Sequence, residues 1–228
     1  MKKDMVLISG WGAGRGAFKK IEEGLGKVFR FSYLPWEKCV GNGNYAAESI
    51  KKSGQKVAIM GWSLGSLIAL KTAIEIPDMV SGLALISPTS RMIRDYNYEG
   101  ADPRELRAMS ARLVKYKEAV LESFASKAFG GRPGIEAYLE EAAGFSTEEL
   151  AAGLGFLEKE DVRPGLAAIK TPALIMYGSS DAIIPPGQPG FLGTRIKGSV
   201  LREFDEGHGL PYAMDDGAIG EIGGFKWM

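Results

Sequence analysis

The feature that most constrains the fold is the stretch 57–75, where an apolar run of strand length leads into the turn GWSLG. Apolar residues at helical spacing continue beyond this turn. A serine at the centre of G-x-S-x-G, between a strand and a helix, is typical of a nucleophile elbow, which presents the hydroxyl of Ser63 above the end of a sheet. The alternative is a structural turn that contains this pattern by chance, in a chain with 31 glycines.

Strands and helices alternate on both sides of this turn. A parallel sheet covered by helices produces this rhythm, so we expect an α/β fold with a mostly parallel sheet. The predicted strands are 5–9, 29–34, 57–60, 83–86, 171–177 and 200–204. A helix over about 17–25, a short helix before the turn and a closing helix after Pro211 complete the pattern.

Residues 88–169 interrupt the alternation of strands and helices, because they contain helical segments and no convincing strand. Asp102 and Pro103 are typical of a helix start, and Ser146 with Glu149 fits a capping box. We therefore predict a core formed by 1–87 and 170–228, with an all-helical lid at 88–169. A lid would cover the carboxyl ends of the strands, where α/β proteins bind ligands. The alternative is a helical subdomain that only shields the sheet.

A serine nucleophile needs a base and an acid to orient that base. His208 is the only histidine of the chain, and it lies between glycines after the last predicted strand. Asp181 also follows a predicted strand, and we favour it over Asp205 because it can approach the imidazole from the side. The chain order Ser63, Asp181, His208 is the order found in α/β-hydrolases.

The N–H groups of Leu64 and Trp11 are the expected oxyanion donors, since one residue follows the nucleophile and the other follows the first strand. The same loop also fits a dinucleotide fingerprint, G-x-G-x-x-A from Gly12, with Glu37 further on. We consider this alternative weaker because Glu37 does not stand at a strand end and because a cofactor enzyme leaves the serine turn unexplained.

Four segments together resemble the α/β-hydrolase superfamily: SGWG at 9–12, GWSLG at 61–65, Gly178 to Pro185 around Asp181, and Gly207-His208. The Gly-Trp-Gly loop, the serine turn and the helical lid are most similar to the esterases of biotin synthesis that act on pimeloyl-[acyl-carrier protein] methyl ester. The resemblance covers about 5–90 and 170–212. Ser9 stands where many relatives have histidine, and the lid carries no motif that can be matched.

The resemblance implies a serine carboxylesterase that needs no metal or organic cofactor. Its substrate would be a small acyl ester, and an acyl carrier protein is a candidate partner. The alternatives are a general short-chain carboxylesterase and a non-hydrolytic member of the fold, either a ligand-binding receptor or a lyase of the menaquinone-pathway type.

The lid contributes two further expectations. Four basic residues fall within one helical arc of about 140° and could dock an acidic carrier, although a solvated face with local ion pairs explains them equally well. These residues are Arg104, Arg107, Arg112 and Lys115. Candidate residues for an acyl pocket are Met92, Met109, Phe124, Phe129 and Phe145.

The composition limits the other partners. Basic and acidic residues both number 28, so the zero net charge indicates neither nucleic acid nor a membrane surface. The single cysteine, Cys39, fits a reducing compartment. We therefore expect a monomeric cytoplasmic protein.

Overall fold

The computed structural model of the protein describes residues 2–227. Its centre is a six-stranded sheet in the order β2-β1-β3-β4-β5-β6, and every neighbouring pair of strands is parallel. The strands are β1 (Lys3–Ile8), β2 (Phe29–Tyr33), β3 (Val57–Trp62), β4 (Val80–Ile86), β5 (Ala173–Gly178) and β6 (Val200–Phe204). This confirms the predicted parallel α/β sheet.

The strands are connected by helices and short 3₁₀ turns. The helices are α1 (Lys19–Leu25), α2 (Trp36–Gly41), α3 (Tyr45–Ser53), α4 (Leu64–Glu75), α5 (Pro103–Phe129), α6 (Ile135–Ala143), α7 (Thr147–Lys159), α8 (Gly187–Arg195), α9 (Leu210–Ala213) and α10 (Asp216–Gly224). The 3₁₀ turns are Arg15–Phe18, Pro77–Met79 and Arg163–Ala168. No helix within residues 2–227 is both long enough and apolar enough to cross a membrane.

Burial explains why some strands were easier to recognise than others. Every residue of β3 and of β4 is buried, so both strands consist largely of apolar residues. The edge strands β2 and β6 are partly exposed and carry charged residues. Two helices were not predicted, α2 and α8, because prolines and glycines in and around these short segments are typical of loops.

The chain between β4 and β5 folds into α5, α6 and α7, with isolated bridges and no strand among these described residues. Both predicted helix starts are confirmed. The Asp102 carboxylate accepts the Arg104 N–H at the start of α5, and Ser146 and Glu149 form the capping box of α7. The apolar residues of this insertion share one core with the sheet, so the two parts pack as one unit. The backbone of α5 leaves helical geometry at Tyr116.

Candidate active site

The ends of four strands bring the predicted site residues to one edge of the sheet. Trp11 follows β1 and Ser63 follows β3, while Asp181 and His208 lie in the loops after β5 and β6. Because all the strands are parallel, their carboxyl ends lie at the same edge. β1 and β3 are adjacent where the strand order reverses, which is the usual position of a ligand crevice in α/β sheets.

The turn at Ser63 is held in a strained conformation. Ser63 has φ 54° and ψ −118°, and α4 begins at the next residue. A Cβ atom at Gly65 would lie far inside van der Waals contact with the carbonyl oxygen of Ile8, and one at Gly61 would overlap the carbonyl of Gly65. These glycines therefore allow α4 to pack against β1 and β3, which keeps the hydroxyl of Ser63 at the sheet edge.

His208 joins the serine to the acid. Its Nε2 lies 2.9 Å from Ser63 Oγ, and its Nδ1 lies 2.8 Å from Asp181 Oδ2. His208 is fully buried and the Asp181 side chain is 2% exposed, so both side chains are shielded from water. With the proton on Nδ1, the imidazole donates to Asp181 and can accept the proton of Ser63.

Asp181, and not its rival Asp205, contacts the imidazole. The other oxygen of the Asp181 carboxylate, Oδ1, accepts the N–H groups of Ile183 and Ile184, both at 2.8 Å. Asp205 is 94% exposed and faces Arg132 at 3.5 Å. The strand-end argument therefore selected the carboxylate that contacts the imidazole, whereas proximity in sequence would have selected the other.

Two donors that the sequence analysis missed hold the backbone of His208. Trp62 Nε1 donates to the His208 carbonyl oxygen at 2.9 Å, and Ser87 Oγ donates to the same oxygen at 3.3 Å. The ring of Trp62 also packs beside the imidazole, with 5.8 Å between ring centroids. Trp62, the residue before the serine, therefore holds His208 in position as well as forming the turn.

The two predicted oxyanion donors lie beside Ser63 in buried surroundings. Leu64 and Trp11 are 0% and 2% exposed, and neither backbone N–H has a protein acceptor within residues 2–227. The Leu64 N–H is in the first turn of α4, where helix N–H groups lack intrahelical partners. Both amides are therefore available to a negatively charged oxygen.

The dinucleotide interpretation of the glycine-rich loop is wrong. The N–H groups of Gly14 and Gly16, which would cradle a phosphate, donate to the Glu141 carboxylate at 2.9 and 2.8 Å. Glu37 lies within α2 and not at the end of β2. An anion of the protein itself occupies the loop, which leaves no place for a pyrophosphate.

A cavity of about 510 Å³ reaches Ser63 from the side of α5. Residues of α5 on both sides of Tyr116 line the cavity, together with α7 and the loop after β5. Met92, Met109 and Phe124 lie in its wall, as expected, and Phe124 also packs edge-on to His208. Phe129 and Phe145 pack elsewhere, against Tyr138 and Trp36 respectively.

One of the four basic residues in the predicted arc on α5 is paired with another helix. Arg107 Nε donates to Glu158 Oε1 of α7 at 2.5 Å, so this guanidinium ties two helices of the insertion together. Arg104, Arg112 and Lys115 are exposed and have no ion-pair partner among the described residues 2–227. Arg112 also lines the cavity.

Comparison with known proteins identifies the family of this chain. Residues 51–212 match the family model described as "alpha/beta hydrolase fold". The pimeloyl-[acyl-carrier protein] methyl ester esterase of Chromobacterium violaceum is 30% identical, with 92% of this chain and 88% of the relative covered. The enzyme of the same name from Pseudoalteromonas atlantica is 28% identical, with 91% and 84% covered.

Solved structures show the same fold. An esterase from Exiguobacterium antarcticum superimposes with a TM-score of 0.86, at 22% identity, and covers 96% of this chain and 90% of its own. The chain therefore belongs to the alpha/beta hydrolase fold family. Within that family it is a carboxylic ester hydrolase.

Proposed function

We propose that the protein is a serine carboxylesterase in which Ser63 is the nucleophile, His208 the general base and Asp181 the residue that orients the base. The observation that carries this proposal is the position of His208 between Ser63 Oγ and Asp181 Oδ2, at 2.9 and 2.8 Å, below an open cavity. The N–H groups of Trp11 and Leu64, which have no acceptor among residues 2–227, would stabilise the oxyanion.

The reaction follows from these roles. Ser63 Oγ attacks the ester carbonyl while His208 Nε2 takes its proton, and the carbonyl oxygen becomes an oxyanion. His208 then returns the proton to the departing alkoxide, which leaves as an alcohol. Water attacks the acyl-enzyme in the same way, with His208 as base and then as acid, and releases the carboxylic acid and free Ser63.

The substrate that we propose is the methyl ester of pimeloyl-[acyl-carrier protein], which would assign the protein to biotin synthesis. Two relatives that cover nearly the whole chain carry this activity in their names. The largely apolar wall of the cavity, which includes Leu106 and Met109, suits a chain of methylene groups. The insertion then serves as a lid that forms the acyl pocket.

An acidic carrier protein would dock beside the cavity mouth. Arg104, Arg112 and Lys115 present positive charge on α5 that is unpaired within residues 2–227, and Arg112 extends to the cavity itself. Such a surface would steer an anionic carrier and bring its acyl arm to Ser63. Arg107 is already paired with Glu158, so we leave it out of the docking surface.

The decisive experiment compares the hydrolysis of a pimeloyl-carrier methyl ester with that of p-nitrophenyl butyrate, with Ser63→Ala as the blank. We expect a clear preference for the carrier-bound ester, and a loss on the order of 10⁴ or more in kcat in Ser63→Ala. Activity on the small ester alone would support a general short-chain esterase. Near-normal turnover in Ser63→Ala would refute the serine mechanism, whereas the absence of turnover of both esters by the wild type would favour a lyase or a receptor.

Carrier docking has its own test. Arg104→Glu with Lys115→Glu should lower kcat/KM for the carrier-bound ester about tenfold at low salt and leave p-nitrophenyl butyrate unaffected. The matched control is Lys51→Glu with Lys52→Glu, which reverses two exposed charges on α3. Equal effects of the two double variants would contradict a docking surface on α5.

A further inference from the structure

The loop 9–16, which carries the Trp11 N–H, is held in place by the insertion. Tyr138 of α6 donates its hydroxyl to the Trp11 carbonyl oxygen at 3.2 Å, and Trp11 Nε1 donates to the Leu150 carbonyl oxygen of α7 at 2.8 Å. The Glu141 carboxylate accepts the two glycine N–H groups described above. The insertion therefore makes four hydrogen bonds to this loop.

Glu141 also contacts the other side of the site. Its Oε2 accepts the hydroxyl proton of Tyr212 at 3.0 Å. Burial and the adjacent Glu141 charge raise the pKa of Tyr212 well above its ordinary value, so the hydroxyl remains a donor. The Tyr212 ring packs edge-on against Trp62, with 5.7 Å between centroids, and Trp62 in turn holds the His208 carbonyl.

From these contacts we infer that Glu141 is a positioning residue for ester hydrolysis. Its carboxylate joins the loop of the Trp11 oxyanion donor to the segment that carries His208, through three charge-assisted hydrogen bonds. The inference rests on the proposed function, in which Trp11 stabilises the oxyanion. A shift of the loop would weaken that donor in the transition state more than it would weaken substrate binding.

The contacts of Glu141 limit how the insertion can move. α6 cannot move away from the sheet without releasing Gly14, Gly16 and Tyr212, so opening at α6 would dismantle the oxyanion site. The cavity is lined by α5 and α7 and by no residue of α6. The substrate therefore enters beside α5 while α6 stays in contact with the catalytic loops.

The test is Glu141→Gln. Oε2 accepts from Gly14 and Tyr212 while Oε1 accepts from Gly16, so either orientation of the amide turns its NH₂ group toward at least one donor. We expect kcat for p-nitrophenyl butyrate to fall about tenfold with KM within about twofold of wild type. The inhibition constant of butaneboronic acid, which forms a tetrahedral adduct, should rise by a similar factor.

A purely structural role would lower the melting temperature without lowering kcat at constant KM and without raising the inhibition constant. The melting temperature is therefore measured in parallel. Glu140→Gln is the matched control, since Glu140 is exposed on the same helix and makes no hydrogen bond through its side chain within residues 2–227. An unchanged kcat in folded Glu141→Gln would overturn the inference, and so would an equal loss in Glu140→Gln.

If Glu141→Gln does not fold, Tyr212→Phe removes only one of the three donors. We expect it to lower kcat about two- to threefold, again without a change in KM. An unchanged kcat in that variant would refute the coupling of Glu141 to His208. Failure of the proposed function is distinguishable, because wild type and Ser63→Ala would then hydrolyse the ester equally.

Discussion

Replacement of Asp181 by asparagine should move the imidazole proton of His208 from Nδ1 to Nε2 while leaving the positions of the side chains unchanged. Oδ1 of Asp181 accepts two backbone N–H groups, from Ile183 and Ile184, whereas Oδ2 faces His208 Nδ1. An asparagine must keep its oxygen toward the two N–H groups, because the opposite orientation leaves them unpaired at a cost of about 1–3 kcal/mol each. Its NH₂ group therefore donates to Nδ1.

With Nδ1 as an acceptor, the imidazole carries its proton on Nε2 and points that N–H at Ser63 Oγ. It can then no longer take the serine proton, so we expect kcat to fall on the order of 10⁴-fold. Hydrolysis of p-nitrophenyl butyrate at pH 7 measures the loss. Because the chain contains one histidine, ¹⁵N-labelled histidine reports the tautomer directly by NMR.

Asp205→Asn is the matched control, since that carboxylate is exposed and lies away from the imidazole. We expect it to leave kcat within about twofold of wild type, as surface changes usually do. A folded Asp181→Asn protein that keeps Nδ1 protonated, or that retains a tenth of the wild-type kcat, would refute the reasoning.

Two other predictions concern stability and reactivity. Gly65→Ala should destabilise the fold by about 3 kcal/mol or more, since the added Cβ would overlap the backbone of Ile8. Gly155→Ala, in open space on α7, should stabilise it by about 0.5–1 kcal/mol, and urea unfolding measures both changes. Burial, with a smaller effect from a nearby carboxylate, raises the pKa of the Cys39 thiol to about 12. Only about one thiol in a thousand would then be ionised at pH 9, so iodoacetamide should modify Cys39 in urea and not in the native protein. Rapid native labelling would contradict that pKa.

The residues around Ser63 could be predicted because each lies in a segment whose local pattern is specific. The serine turn needs glycines at fixed positions, and a parallel sheet places the residues after its strands at one edge. Asp181 and His208 were therefore identified without knowledge of any contact between them. Asp181 was preferred to Asp205 because it follows a different strand from His208 and can approach the imidazole from the side.

The contacts of Glu141 could not be predicted in this way. Glu141 lies more than a hundred residues from Gly14 and Gly16, and its acidic helix resembles a solvated surface. The only signal was indirect, because a glycine-rich loop with free N–H groups needs an anion. A bound dinucleotide was the weaker alternative that we considered for this loop, whereas the fold supplies the anion from α6. The ion pair of Arg107 with Glu158 could not be predicted for the same reason, since Glu158 comes from another helix.

The insertion consists of parts that differ in how readily they can accept substitutions. The backbone of α5 leaves helical geometry at Tyr116, and α6 is held against the catalytic loops. The first half of α5 lines the cavity through Leu106 and Met109, whereas the hydrogen bonds from the insertion to the loop 9–16 come from α6 and α7. New substrate preferences can arise there by exchange of one side chain. Changes at Tyr138 or Glu141 would instead reduce turnover of every ester. A directed-evolution library for chain-length selectivity therefore belongs on the first half of α5, with α6 left unchanged.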